Sequence, residues 1–180
     1  MPRMDEGHRV LKPTVHKDDR GCFFESYNER LANKIGNPAF VQNNTSISKK
    51  GVIRGLHYQW DNPCGKLIRV VKGRIIDVIV DIRKGKNGYG AVRYFDLNEK
   101  NKKMLWVPPG YAHGFVSLSD EAVVCYMVTA KWNKAGEGTI NPLDKDLNID
   151  WKTHSDKMIL SPKDMSGITF AEYDNDPKFI

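Results

Sequence analysis

An all-β fold, a sandwich or a small barrel, is the architecture this sequence predicts. Two observations carry it. Short runs of β-branched and aromatic residues recur at near-regular spacing between turn signals, and only one segment has a sustained helical period. The 180 residues suffice for one large domain with a real core, so 1–180 is expected to be a single domain.

The strands follow in order. Residues 67–71 (LIRVV) and 74–82 (RIIDVIVDI) are rich in β-branched residues and joined by the turn Lys72-Gly73. Within the second run, Ile76, Val78 and Val80 point one way and Asp77, Ile79 and Asp81 the other. Residues 91–97, 103–107, 114–118 and 122–129 read as further strands. Gly85 to Gly90, Asn98 to Asn101, Pro108-Pro109-Gly110 and Ser119-Asp120 bound them. CFFESY is another strand, entered from the turn Asp18-Asp19-Arg20-Gly21. The helical period covers about 28–35, and Gly36 can end it. Ser161 and Pro162 resemble an N-cap and a first helical position, which predicts a turn of helix at 161–165. Residues 152–180 are polar and poorly patterned, and are expected to wrap the surface or a partner subunit.

The net charge of +6 calls for an anionic partner. The lysines are spread, with no basic stripe interleaved with aromatics, so a phosphate-bearing metabolite is favoured over nucleic acid. No apolar run reaches membrane-spanning length, and MPRMDEGHRV lacks the apolar core of a signal peptide. The expectation is a cytoplasmic protein with no membrane partner. Cys22, Cys64 and Cys125 are odd in number and contain no CxxC pair, which argues for reduced thiols rather than a disulfide framework or a zinc site.

The chemistry gathers in residues 51–73, GVIRGLHYQWDNPCGKLIRVVKG. His57 lies in a strand with Leu56 and Tyr58 facing opposite to it, so it lines a barrel interior if those two are outside. A histidine there is either structural or a base suited to neutral pH. Arg54 and Arg20 offer planar forks of donors for a diphosphate, or are solvated surface arginines. Lys66 can steady a developing oxyanion or end its strand in water. His113 is delivered by the rigid turn Pro108-Pro109-Gly110. A metal would need three or four converging ligands, and Gln59 stands where a second histidine would complete an HxH pair with His57. Asp144 is a loop aspartate, a turn residue unless it partners His57 and fixes its tautomer.

Together these stretches resemble the dTDP-4-dehydrorhamnose 3,5-epimerases, a family of small cupin (jelly-roll) enzymes. The resemblance rests on DDRGCFFESYN (18–28), FVQNNTSIS (40–48), GVIRGLHYQ (51–59), GKLIRVVKGRIIDVIVDIR (65–83), WVPPGYAHGF (106–115) and LDKDLNIDW (143–151). It implies epimerisation at C3, and in many members at C5, of a nucleoside-diphosphate 4-keto sugar, through an enolate. It assigns His57 as the base, Asp144 as its partner and Lys66 to the enolate oxygen. Arg20, Glu25, Gln42, Asn44, Arg54, Gln59, His113 and Trp132 fall to substrate binding. It further implies a homodimer in which Arg20 and its strand reach into the neighbouring subunit, a role in bacterial surface-polysaccharide sugar synthesis, and no metal or organic cofactor.

The sequence departs from the family at several points. Trp132 aligns with a tyrosine proposed as the acid opposite the histidine, and an indole N–H is a donor but no usable acid. Asn43, Cys64 and Pro142 replace an aspartate, a glutamine and a tryptophan. These changes raise three alternatives: a C3-only epimerase, a GDP-linked 4-keto-heptose as substrate, and a catalytically impaired cupin that binds nucleotide sugar.

Overall fold

Strand β7 (Arg74–Asp81) organises the molecule, because both of its faces are buried. The computed structural model describes residues 7–180. The strands before β7 are β1 (Arg9–Leu11), β2 (Val15–Asp18), β3 (Gly21–Phe24), β4 (Gln42–Lys49), β5 (Ile53–Gln59) and β6 (Lys66–Lys72). After it come β8 (Val92–Asn98), β9 (Met104–Val107), β10 (Tyr111–Ser117), β11 (Glu121–Val128) and β12 (Glu137–Thr139). The described residues form two five-stranded antiparallel sheets, ordered β1-β9-β6-β11-β4 and β12-β5-β10-β7-β8. The β2–β3 hairpin pairs only with itself. This is the jelly roll expected. The expected single domain, like the reading of the N-terminal stretch, includes residues 1–6, which lie outside the described residues.

Three apolar clusters follow from strand alternation. Ile75 and Ile79 of β7 face between the sheets, with Ile68, Val70, Leu97, Leu105, Phe115 and Val124. Ile76, Val78 and Val80 face outward, where Leu147, Trp151 and Tyr173 cover them. On the outer face of the other sheet, helix α1 (Glu29–Asn33) lays Leu31 over Leu67, Met104 and Trp106. Asn28 caps that helix through Leu31 N–H, and the turn after it ends at Gly36 with φ +80°.

The polar C-terminal stretch wraps the second sheet of its own chain. Isolated parallel bridges Val52↔Ile159, Ile140↔Ile168 and Arg83↔Phe179 pin it there. Along it lie helices α2 (Pro162–Met165) and α3 (Phe170–Asn175), with Ser161 capping α2 through Asp164 N–H and Pro162 in its first turn. Gly73 lets the chain turn from one sheet to the other: its φ is +81°, and a Cβ there would sit 2.2 Å from Ser119 Oγ.

The strands read from the sequence are present with small shifts: β10 starts at Tyr111 rather than 114, and the strand read over CFFESY ends at Phe24. Strand β4 was not anticipated. Its sequence QNNTSISK is polar because it is an edge strand with one side in water. No helix among the described residues is long and apolar enough to cross a membrane.

Candidate active site

Strand β5 sets the first side chain. Leu56 and Tyr58 are buried in the outer cluster, so His57 turns to the inter-sheet side. Its neighbours across the ladder are His113 of β10 and Thr139 of β12. Two glycines make the approach possible: a Cβ on Gly55 would fall 2.5 Å from Gly114 Cα.

His57 opens on a cavity of about 500 Å³ lined also by Ser46, Arg54, Lys66, His113, Tyr126 and Asp164. A smaller lobe of about 150 Å³ adjoins it, walled by Gln42, Asn44, Gln59, Cys64, Trp132 and Glu137. His57, Lys66 and Tyr126 line both.

The partner of His57 is Asp164, not Asp144. His57 Nε2 lies 2.6 Å from Asp164 Oδ1. An Nε2–H donating to that carboxylate leaves the other ring nitrogen to take a proton. Burial pushes the Asp164 carboxyl up, but the His57 bond and charge, with Ser161 and the Gly55 N–H, hold it below its ordinary value. Asp144 is buried elsewhere. Its Oδ1 accepts from Asp146 N and Leu147 N, and its Oδ2 from Phe170 N. All of that is work for the fold: it ties the 141–151 loop to the first residue of α3.

Lys66 opens β6 and is half-buried; burial pulls its ammonium below 10.5, opposed by Cys64, Asp77 and Glu137. Asp77 lies deeper in the barrel and is wholly buried. Its Oδ2 meets His113 Nε2 at 2.9 Å, and its Oδ1 has no hydrogen-bond partner among the described residues. Burial raises the Asp77 carboxyl and lowers the His113 imidazole. Sequence reading named His113 but treated Asp77 only as a strand residue.

Tyr126 joins the site from β11. It is in phase with Val124 and Val128 on β11 and pairs with Ile68, which turns its phenol into the cavity, and burial holds its proton more tightly than usual. Trp132, expected in the place of an acid, lies beyond β11. It is 63% exposed and its indole N–H donates to Glu137 Oε2.

The expected binding residues divide. Arg54 lines the cavity, steadied by Ser48 Oγ and Ile47 O. Gln42 and Asn44 line the smaller lobe and bond to each other. Gln59 also lines it, but its amide is committed: it donates to Asn62 O and Lys131 O and accepts from Asn133 N. Its position there serves the loop that carries Trp132. Arg20 and Glu25 do not reach the cavity of their own chain. Arg20, with a side chain 90% exposed, pairs with Asp18 at the hairpin tip, and Glu25 accepts from Asn28. Among the described residues no group of three or more His, Cys, Asp or Glu side chains could hold a metal. The three cysteines are free thiols.

The site has close counterparts. The family model for dTDP-4-dehydrorhamnose 3,5-epimerase matches residues 6–172. The dTDP-4-dehydrorhamnose 3,5-epimerase of Pseudomonas aeruginosa is 44% identical over 167 residues, 92% of each chain. The dTDP-4-dehydrorhamnose 3-epimerase of Streptomyces niveus is 37% identical over 171 residues, 93% of this chain and 81% of that one. Among solved structures, the Legionella pneumophila dTDP-6-deoxy-D-glucose-3,5-epimerase in complex with dTDP-4-keto-L-rhamnose matches with a TM-score of 0.89 at 39% identity. It covers 97% of this chain and 93% of that one. Because these matches run through both sheets and the wrapping segment that carries Asp164, the chain belongs to the dTDP-4-dehydrorhamnose 3,5-epimerase family and is an epimerase, an isomerase with a cupin fold.

Proposed function

We propose that the chain epimerises a dTDP-linked 4-keto-6-deoxy sugar at C3 and then at C5. The observation that carries this reading is the 2.6 Å pair of His57 and Asp164 opening on a cavity shared with Lys66 and Tyr126. His57 takes the proton from the carbon beside the ketone, and Asp164 stabilises the imidazolium that results. The C–H electrons move into the carbonyl, and Lys66 meets the charge that develops on its oxygen. Tyr126 supplies a proton to the opposite face. Exchange with water then resets His57 and Tyr126. Nothing is oxidised or reduced, and the acid–base set calls for no metal or organic cofactor.

The nucleotide diphosphate is held by Arg54 and by Arg20 and Glu25 of a second copy, in a homodimer that exchanges the β2–β3 hairpin. Supporting this are the separation of Arg20 and Glu25 from their own cavity and the hairpin's isolated pairing, with Phe23 69% exposed on it. The product would feed bacterial surface-polysaccharide synthesis in the cytoplasm.

The test is exchange in D₂O, followed at C3 and C5 by NMR, with dTDP-4-keto-6-deoxyglucose and a GDP-linked 4-keto-heptose. Exchange at both carbons of the dTDP sugar is expected. Exchange at C3 alone would restrict the activity to the scope named for the S. niveus relative. Turnover of only the GDP sugar would overturn the nucleotide assignment. Exchange with neither would mean a binding protein.

A further inference from the structure

Ser161 stands beside the dyad and has no part in the proton transfers above. It caps α2, a helix of four residues whose third is Asp164. Its Oγ accepts from Asp164 N–H at 3.1 Å, and both residues line the larger lobe. A helix this short has little stability of its own, so the aim of the Asp164 carboxylate has to be set by its surroundings. Two contacts fix the path of the chain on either side. Ile159 is bridged to Val52, and a Cβ on Gly167 would fall 2.8 Å from Asn141 N. Neither sets the direction of a side chain between them.

The next helix shows what a hydroxyl at this position does. Thr169 caps α3, and Glu172 follows three residues later. Glu172 N–H donates to Thr169 Oγ1 at 3.1 Å, and the Thr169 hydroxyl donates to Glu172 Oε2 at 2.9 Å. Thr169 N–H donates to the same carboxylate oxygen at 2.7 Å, which completes a capping box. Ser161 and Asp164 have the same spacing and the same bond to the backbone. Aspartate is one methylene shorter than glutamate, and Asp164 Oδ1 is turned to His57 at 2.6 Å instead. Ser161 and the Gly55 N–H both favour its ionised form against burial.

We infer that Ser161 is a positioning residue of the dyad. Its oxygen holds the Asp164 backbone, and its hydroxyl hydrogen is directed to the Asp164 carboxylate, so a helix cap sets the carboxylate that His57 meets. The catalytic half of this inference rests on the reading of the site as a 4-keto-sugar epimerase.

The experiment separates the two halves. The Asp164 carboxyl signal, assigned by its absence in Asp164→Asn, is followed by ¹³C NMR from neutral pH downward. C3 exchange is measured on dTDP-4-keto-6-deoxyglucose. Both are done on the wild type, Ser161→Gly and Ser161→Thr. Glycine is nearly as good an N-cap as serine but has no hydroxyl, whereas threonine keeps one. In Ser161→Gly, Asp164 should begin to take up its proton at higher pH than in the wild type, because a donor to the charged form is gone. Its kcat should fall about tenfold, the low end for a hydrogen bond to a charged group, with KM little changed. Ser161→Thr should match the wild type in both measurements. An Asp164 titration unmoved in Ser161→Gly overturns the bond to the carboxylate. A moved titration with wild-type kcat, or an equal fall of kcat in both variants, overturns the positioning role. Absence of exchange by the wild type overturns the epimerase reading, while the titration still decides whether Ser161 holds the carboxylate.

Discussion

Asp164 stands 107 residues after His57 in the chain and 2.6 Å from it in the fold. The two arrive from different layers: His57 from the inner face of β5, Asp164 from a one-turn helix on the segment that wraps that sheet. Covering the sheet and completing the dyad are thus one structural act. Asp164→Asn should lower kcat for C3 exchange by roughly 10²–10⁴-fold, the range for loss of a group that orients a catalytic histidine. KM should change little, because the carboxylate faces the imidazole rather than the nucleotide. A wild-type kcat in this variant would remove Asp164 from the dyad.

The same carboxylate leaves a mark on stability. Its folded pKa lies below the ordinary 3.8. The stabilisation it supplies is therefore present above about pH 4 and is lost as pH falls through the lower folded value. Urea melts of Asp164→Asn should show a shallower loss of stability over that acid range than the wild type.

Asp144 should behave in the opposite way. It accepts three backbone N–H groups and is buried away from the dyad. Asp144→Ala leaves those donors unmatched, and about 2–3 kcal/mol of stability should go with them. The C3 exchange rate per folded molecule should stay within a fewfold of wild type. A collapse of kcat with an unchanged melting temperature would restore Asp144 to the chemistry.

These two aspartates mark what was legible in the sequence. The β-branched runs declared β6, β7, β8 and β11, since two-residue alternation is a local property. The Ser161-Pro162 start of α2 was equally local and was read. Where that helix delivers its carboxylate is tertiary, set by the bridges at Ile159 and Ile168, and nothing near Asp164 announces it. Asp144 was taken instead from its place in a recognised stretch. Tyr126 was open to better reading: it shares the parity of Val124 and Val128, and that alone turns it inward. Strand β4 was hidden by its edge position, where polar residues are favoured.

Lys66 and Asp77 make a prediction about alkaline pH. Burial lowers the Lys66 ammonium from 10.5, and Asp77 opposes that shift. If the ammonium meets the enolate, the rate must fall as pH rises through the Lys66 value, so kcat/KM should show an alkaline limb below 10.5. Lys66→Arg keeps a charge through that range and should move the limb upward. Asp77→Asn removes the opposing anion, lowers the Lys66 value further and should move the limb downward. Lys66→Ala should cost roughly 10²–10³-fold, as does loss of an oxyanion donor. A limb unmoved by either substitution would assign it to another group.

Arg20 tests the proposed exchange of hairpins. Its side chain lies at the tip of a two-stranded unit that pairs with no other strand of its own chain. Arg20→Ala should raise KM for the nucleotide sugar with a smaller effect on kcat, because it is assigned to the diphosphate and not to the reacting carbons. His57→Ala should abolish exchange. In a dimer formed from one chain of each variant, the site built on the Arg20→Ala chain has an intact His57 and receives an intact Arg20 from its partner. The other site lacks both. Unfolding and refolding the two variants together in equal amounts should therefore return about a quarter of wild-type activity at a substrate concentration where Arg20→Ala alone is nearly silent. If the mixture shows no more than the sum of the separate variants, Arg20 serves its own chain or none, and the exchanged dimer is wrong.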